Sequence, residues 1–514
     1  MTKERNEKTI PEKTTPSAPV PEQQDEHRLI AERKRKLEEL RAKGINPYPY
    51  RYDPTHHARE IQTLHARLRP EEQSGEHVKV AGRLMLLRRM GKASFGHLQD
   101  ETGRIQLFFK QDRLGQLYEL LPLLDLGDII GAAGEVVKTK TGEVTVLVTA
   151  FELLAKSVRP LPEKYHGLKD EEERFRRRYL DLVMNPQAKE LFIKRARIID
   201  SVRETLKRRG FLEVETPTLQ TVYGGANARP FLTHINAWDM PMYLSIAPEL
   251  YLKRLLVAGY ERVYTICKNF RNEGVDQTHN PEFTMMECYW AYADYNDIMT
   301  LTEEIYEDAC KAVNGGTVVE RNGVAIDFKA PWPRITMKDA IKRWGGIDVD
   351  ALSNAELQGL VAKHSLKAAA DASRGDVTPA LFEHFAEPHL TQPIHVIDHP
   401  IESTPLCKTL RTGDPAMIER FESFACSMEL NNAYTELNDP VLQRKLLEEQ
   451  ARQLRAGAAQ AHPMDEDFIQ AMEYGMPPAG GLGVGIDRMA ILLLGAEGIR
   501  DVIFFPTMRP EEKK

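Results

Sequence analysis

The sequence predicts an α+β chain: a small five-stranded β-barrel, then a larger domain with a central antiparallel sheet flanked by helices. Three observations carry this. Residues 77–154 break into short β-branched or apolar runs, with glycine-containing turns between some of them. From about residue 191 onward, helical and strand patterns mix without the regular alternation of a doubly wound fold. The chain has 514 residues, 42% hydrophobic and 28% charged, which is globular composition with length for about three domains.

Residues 1–26 are rich in Pro, Thr, Glu and Gln, lack an apolar period, and read as a disordered tail. Residues 27–73 hold an exposed amphipathic helix and a connection. Leu29, Ile30, Leu37 and Leu40 fall on one side of that helix, and Gly44 and the prolines of INPYPY stop it. Residues 74–156 form the barrel, from the runs VKVAGRLMLLRRM, SFGHLQD, GRIQLFFK, DIIGAAGEVVKT and GEVTVLVTAFELL. An oligonucleotide-binding (OB) barrel fits these runs, and so does an SH3-like barrel or sandwich. Residues 157–190 read as a linker containing the cationic run Arg174-Phe175-Arg176-Arg177-Arg178-Tyr179. Residues 191–514 are the larger domain, with a less patterned, Ala-rich insertion at about 333–393.

Several function classes drop out. Apolar runs such as residues 489–494 fall far below the ~18 residues that span a membrane, and no secretory signal opens the chain. The five cysteines are odd in number and no two sit three apart. They predict neither a disulfide scaffold nor a zinc ribbon, and suit a reducing cytoplasm. There is no G-x-x-x-x-G-K-[ST], no H-E-x-x-H and no nucleophile elbow.

Four segments carry chemistry. In VYTICKNFRNEGVDQTHNPEFTMMECYWAY (263–292), period two puts Cys267, Asn269, Arg271 and Glu273 on one strand face, and Phe283, Met285, Glu287 and Tyr289 on one face of the next strand. That face suits an anionic phosphate at Arg271, a ring at Phe283 and a cation at Glu287; FRNE alone would read as charges facing water. GLGVGIDRMAILLLG (481–495) fails as a dinucleotide fingerprint, because its third glycine is missing. It reads as a strand–turn–helix whose glycines admit a ligand and whose Arg488 meets a phosphate at a helix start. KRRGFLEVETP (207–217) is a helix–turn–strand. In MELNNAYTELND, Glu429 and Glu436 would face opposite ways on a flat strand unless a bulge at Asn431-Asn432 re-aims one; together they could hold Mg²⁺ on a triphosphate.

These segments resemble class II aminoacyl-tRNA synthetases. FRNE with His279, Phe283 and Glu287 looks like motif 2, GLGVGIDR like motif 3, and GFLEVETP like motif 1. With the barrel, the chain is similar to subclass IIb, the lysine, aspartate and asparagine enzymes. RYLDL, GGANARPF, APELYLKRL, HNPEFTMMECYWAY and TELND most resemble the lysyl-tRNA synthetase family. Glu249 in APELY stands where the aspartate and asparagine enzymes have glutamine. A carboxylate there suits the ammonium of lysine.

The resemblance implies an OB-type anticodon-binding barrel and a class II catalytic domain that activates L-lysine with ATP and Mg²⁺ and passes it to tRNA(Lys). It implies a lysine site at Gly225, Glu249, Arg271, Glu287, Tyr289 and Asn438. It implies an ATP site at Arg271, Glu273, His279, Asn280, Phe283, Glu429 and Arg488, with Mg²⁺ on Glu429 and Glu436. Arg271 and Arg488 are the catalytic cations, and Arg488 and Phe283 would enclose adenine. Arg88, Phe95, Gln106 and Glu143 would read the anticodon; Leu87-Arg88 departs from the two basic residues common in the family. Motif 1 around Pro217 implies a homodimer. Two alternatives share the scaffold: a paralogue that attaches lysine to a protein, which would lack the barrel, and a non-catalytic RNA-binding relative, which would not need Arg271, Glu287, Glu429, Glu436 and Arg488 intact. The net charge of −7 decides nothing, because an acidic amine pocket and a basic RNA stripe average out.

Overall fold

The computed structural model describes residues 21–162, 170–366, 372–455 and 462–511. Most of the expected tail, residues 1–20, lies outside the described residues. The chain divides into two compact units, 1–167 and 168–514.

The first unit opens with helix α1 (Pro21–Ala42), which starts six residues before the expected boundary at 27. A proline is tolerated in a first turn because its missing N–H has no intrahelical partner there. The helix is not simply exposed. Leu37 and Leu40 are buried, and the Arg33 guanidinium donates to the carbonyls of Leu126, Ser157 and Arg159. Five strands follow: β1 (Gln73–Met90), β2 (Ala93–Gln99), β3 (Arg104–Lys110), β4 (Ile129–Lys138) and β5 (Val144–Ala155). They close in the order β1-β2-β3-β5-β4, antiparallel except for the β3–β5 pair. Helical turns at Gln111–Leu114 and Gly115–Leu123 join β3 to β4. That closed order is the OB arrangement, so the SH3-like and sandwich alternatives fall away. Along β2 and β3 the burial alternates strictly, sending Leu98, Ile105, Leu107 and Phe109 inward.

The second unit is built on one eight-stranded sheet. Its strands are β6 (Leu212–Glu213), β7 (Arg262–Phe270), β8 (Glu282–Ala291), β9 (Arg334–Thr336), β10 (Ile394–Pro400), β11 (Met417–Ala425), β12 (Met428–Thr435) and β13 (Ala479–Gly485), in spatial order β9-β10-β11-β12-β13-β8-β7-β6. The six middle strands pair antiparallel, and the two edge pairs are parallel. Four helices matter for the site: α2 (Pro186–Arg208), α3 (Glu249–Val257), α4 (Tyr295–Asn314) and α5 (Ile486–Leu494). On one sheet face Met286, Leu482 and Val484 meet Ile198, Ile305 and Ile491 from the helices. The opposite face carries Tyr289 and Tyr434 against Leu250 and Leu256 of α3. The expected insertion is anchored to the sheet edge: β9 pairs with β10, and the helices after it share a core with Val396 and Phe424.

The expected linker to residue 190 is helical from Glu171. Asp170 caps Glu171–Arg176 by accepting from the N–H groups of Glu172 and Glu173, and Arg178–Met184 follows. The cationic run is paired locally: Arg174 with Asp181, Arg176 with Glu172, Arg177 with Glu173. Arg178 is 1% exposed; it pairs with Asp181 at 2.9 Å and donates to the carbonyls of Arg500 and Phe504. It ties the start of this unit to its C-terminal segment and is no part of an RNA stripe. All five cysteines are free, and among the described residues no helix is long and apolar enough to cross a membrane.

Arg178→Ala removes the partner of Asp181 Oδ2 and leaves that fully buried carboxylate with Arg174 and Asn185 on Oδ1 alone. Breaking a buried pair from one side costs about 3–5 kcal/mol. Urea unfolding should show a loss of that order for the second unit; a loss below about 1 kcal/mol would show that Arg178 is not its tie.

Candidate active site and nucleic-acid face

The β7–β8 hairpin has the register that period two predicts. Cys267 faces Met285 and Asn269 faces Phe283, with Arg271 one residue past the strand. Strand β13 lies beside β8, so Gly483 is level with Glu287 and Gly481 with Tyr289. On its other side β12 puts Asn432 level with Gly483 and Tyr434 level with Gly481. The glycines leave a trough between the two outer strands. A Cβ at Gly481 would fall 1.9 Å from Glu436 Oε1 and 2.6 Å from the Tyr289 ring. At Gly225, with φ of +82°, a Cβ would meet that of Glu249 at 2.7 Å.

Over this trough opens a cavity of about 330 Å³. One end is acidic. Glu249, Glu287 and Glu436 are 3%, 5% and 0% exposed. Tyr434 Oη donates to both Glu249 oxygens at 2.9 Å, and Tyr289 Oη donates to Glu287 Oε2 at 3.1 Å. Burial, helped by the neighbouring Glu249, raises Glu287 to about 8, and burial drives Glu436 well above the carboxylate range. The other end is basic and aromatic. The Arg271 guanidinium lies 5.1 Å from the Phe283 ring centroid and donates to the Ile246 carbonyl. Arg488, in the first turn of α5, pairs with Glu429 at 3.0 Å and has Nη2 3.3 Å from His279 Nε2. Burial works against the Arg488 charge, but Glu429 outweighs it and the pKa is raised. The buried Asn280 Oδ1 has no donor among the described residues.

Of the expected residues, Gly225, Glu249, Arg271, Glu273, His279, Asn280, Phe283, Glu287, Tyr289, Glu429, Glu436 and Arg488 all line this cavity. Asn438 does not: its amide donates to the Met476 carbonyl at 2.9 Å. The bulge on β12 does re-aim a glutamate, but at Leu430, one residue earlier than expected; Asn431 faces Ser423 and Glu429 already faces Phe424. Glu429 and Glu436 therefore share a face. Glu436 pairs with Lys253 through Oε2 at 2.5 Å, and its Oε1 has no hydrogen-bond partner among the described residues. Glu422, on β11 and level with Asn432, lines the same wall as Glu429 and shares its face. Glu422 pairs with Arg420 at 2.5 Å, as Glu429 pairs with Arg488, and burial, then the charges of Glu383, Glu422 and Glu429, lift nearby Glu387 to about 7. The carboxylates that line the cavity along this wall, and could hold a divalent cation, are Glu422, Glu429 and Glu436. The sequence reading also missed Asn432 and Tyr434, which lie within MELNNAYTELND, and His462, which lines the cavity from a segment that was not singled out.

On the barrel, Arg88, Phe95 and Phe108 form one cross-strand row, and His97 and Gln106 the next. Phe95 stacks on Phe108 at 4.3 Å and 3°, with Lys110 Nζ 5.1 Å from the Phe108 centroid. Glu143 accepts from Gln106 at 2.6 Å and contacts His97 at 3.0 Å. All four expected readers thus sit together on the face turned away from the barrel core, while Leu87 packs against that core. Phe108, His97 and Lys110 were legible in the alternation of RIQLFFK and SFGH but were not singled out.

A family described as tRNA synthetases class II (D, K and N) matches residues 170–509, and an OB-fold nucleic acid binding domain matches 78–154. The chain belongs to the class II tRNA synthetases. Among its relatives, a lysine–tRNA ligase of Pelotomaculum thermopropionicum is 50% identical over 95% of this chain and 96% of its own length. Those of Moorella thermoacetica and Clostridium perfringens are each 49% identical, over 95% and 96% of this chain and 99% and 98% of theirs. This synthetase has its glycine strand where the cavity needs room. Gly481→Ala should therefore weaken substrate use without unfolding the unit. An inserted methyl in a packed site costs about 1–3 kcal/mol, roughly 5- to 150-fold in kcat/KM. Unchanged amino-acid activation would show that the trough is not the substrate's path.

Proposed function

We propose that this synthetase activates L-lysine with ATP to lysyl-adenylate and transfers lysine to the 3'-terminal ribose of tRNA(Lys), releasing AMP and pyrophosphate. The observation that carries the reading is the polarity of one cavity: three buried glutamates at one end, Arg271 and Arg488 at the other. A lysine laid along it meets carboxylates at its side-chain ammonium and a guanidinium at its carboxylate. Aspartate would reverse that charge match.

The lysine carboxylate is ionised at neutral pH, so its attack on the α-phosphate needs no general base. Rate comes from alignment and from neutralising developing charge. Arg271 lies between the two substrates' anionic groups. Phe283 offers a stacking face to adenine, and the unpartnered Asn280 Oδ1 an acceptor. Arg488 exchanges its Glu429 partner for the nucleotide. Mg²⁺ held by Glu429 and Glu436, with Glu422 on the same wall, would screen the phosphate charges and shape the triphosphate.

The Phe95–Phe108 stack with Arg88, His97, Gln106 and Glu143 is proposed as the anticodon reader. Unpaired bases are read by stacking plus edge hydrogen bonds, and this face offers both. The barrel also speaks against a protein-lysylating paralogue. A homodimer is supported by large apolar side chains left open near motif 1: Leu212, Leu219, Leu232 and Trp238 are 49%, 48%, 71% and 73% exposed. A cytoplasmic home is supported by five free cysteines.

Lysine-dependent ATP–pyrophosphate exchange tests the reading. Exchange with aspartate in place of lysine would overturn the specificity, and exchange with no amino acid would overturn the activity. Phe95→Ala should leave exchange intact and lower tRNA charging about 5- to 100-fold, since stacking contributes about 1–3 kcal/mol per base. Equal loss in both assays would make the ring structural.

A further inference from the structure

Behind the acidic end of the cavity stands a cation that the adenylation chemistry leaves without a task. Lys253, on α3, has a fully buried side chain. Its Nζ is 2.5 Å from Glu249 Oε1 and 2.5 Å from Glu436 Oε2. The rings of Tyr289 and Tyr434 flank it, with centroids 5.8 and 5.5 Å away. Lys253 is not among the residues lining the cavity, whereas Glu249, Glu436 and both tyrosines are. It therefore grips the two glutamates from the side away from the opening.

The balance of charge at that end is uneven. Three buried carboxylates, Glu249, Glu287 and Glu436, face one buried ammonium. Glu436 Oε1 has no hydrogen-bond partner among the described residues, so the stabilising contact of this carboxylate is the one from Lys253 to Oε2. Burial opposes the Lys253 charge, yet Glu249 and Glu436 outweigh it and raise its pKa above the ordinary lysine value.

We propose that Lys253 is a positioning residue for amino-acid recognition: it fixes Glu249 and Glu436 from behind and cancels one buried negative charge, so that the cavity accepts one further ammonium and rejects an uncharged chain of equal length. The inference rests on the lysine reading above. Three glutamates crowded away from water repel one another, and the ammonium behind them holds two of the three in place. Without Lys253, Glu249 and Glu436 lose the contact that fixes them. Acceptors that are no longer fixed hold an ammonium less tightly and discriminate less against an apolar occupant. An arginine would keep the charge and, with its fork, both contacts.

The test is exchange kinetics of full-length Lys253→Met and Lys253→Arg, with lysine as substrate and norleucine as competitor. For Lys253→Met the expected result is a lysine KM raised about tenfold or more, ATP KM within about twofold of the parent, kcat within about threefold, and stronger inhibition by norleucine. Lys253→Arg should return lysine KM and norleucine inhibition to within about threefold of the parent. An unchanged or lower lysine KM in folded Lys253→Met overturns the proposal, as does a fall in kcat with both KM values unmoved. Should Lys253→Met not fold, Lys253→Gln takes its place with the same expectations; if neither folds, Lys253 is a folding residue and the proposal fails. Parent protein without lysine-dependent exchange would sink the substrate reading itself, whereas parent exchange with unaltered variants sinks only this inference.

Discussion

The catalytic unit is organised around a strand with almost no side chains. Ala479–Gly485 runs between β8 and β12, and on its cavity side it presents Gly481 and Gly483. That emptiness lets Tyr289 and Glu287 lean in from one neighbour and Tyr434 and Asn432 from the other. The same strand turns Leu482 and Val484 to the opposite face, where they sit at the centre of the helical core. Period two thus lets seven residues be solid on one side and hollow on the other. The helix that follows carries Arg488 in its first turn, so the strand that makes the room also delivers the cation beside it.

Room alone would fill with water. What gives the cavity direction is the separation of charge along it. Tyrosine hydroxyls satisfy Glu249 and Glu287 individually, and a sealed ammonium joins Glu249 to Glu436. Buried carboxylates without full compensation destabilise the empty protein and are tolerated where a ligand supplies the missing charge. The opposite sign at Arg271 and Arg488 completes a field along which an amino acid bearing a distal ammonium has one favourable orientation.

Legibility from sequence followed the range of the interactions. The hairpin was readable because its pattern is local: FRNE and FTMMECY carry their faces in alternation, and the observed register agrees. Glu429 and Glu436 were readable as a pair only conditionally, because a bulge decides whether they share a face. That Glu436 belongs to Lys253 was not readable, since the contact joins residues of α3 and the end of β12 far apart in the chain. Glu422 is near Glu429 in the chain and was hidden for another reason: it reaches the cavity wall from the adjacent strand, and the bulge decides which residues share its face. The arginine run shows the converse. Arg176 and Arg177 have acids four residues away, a visible helical spacing, but the burial of Arg178 depends on carbonyls more than 320 residues distant.

The barrel shows why bulk charge was a poor guide to an RNA partner. Its outward face holds Arg88 and Lys110, two stacked rings, a histidine and an amide, and also a carboxylate. Glu143 looks misplaced on a surface meant for a polyanion until its partners are counted. It holds the Gln106 amide and the His97 ring, and Thr145 donates to the other side of Gln106. An amide held on both sides presents a fixed donor and acceptor, and edge recognition of a base needs orientation more than charge. Positive charge sets how strongly any RNA is attracted, whereas held polar groups and flat rings set which bases are kept. A chain of net charge −7 can therefore carry a reader, provided that its acids are spent on holding neutral groups in place.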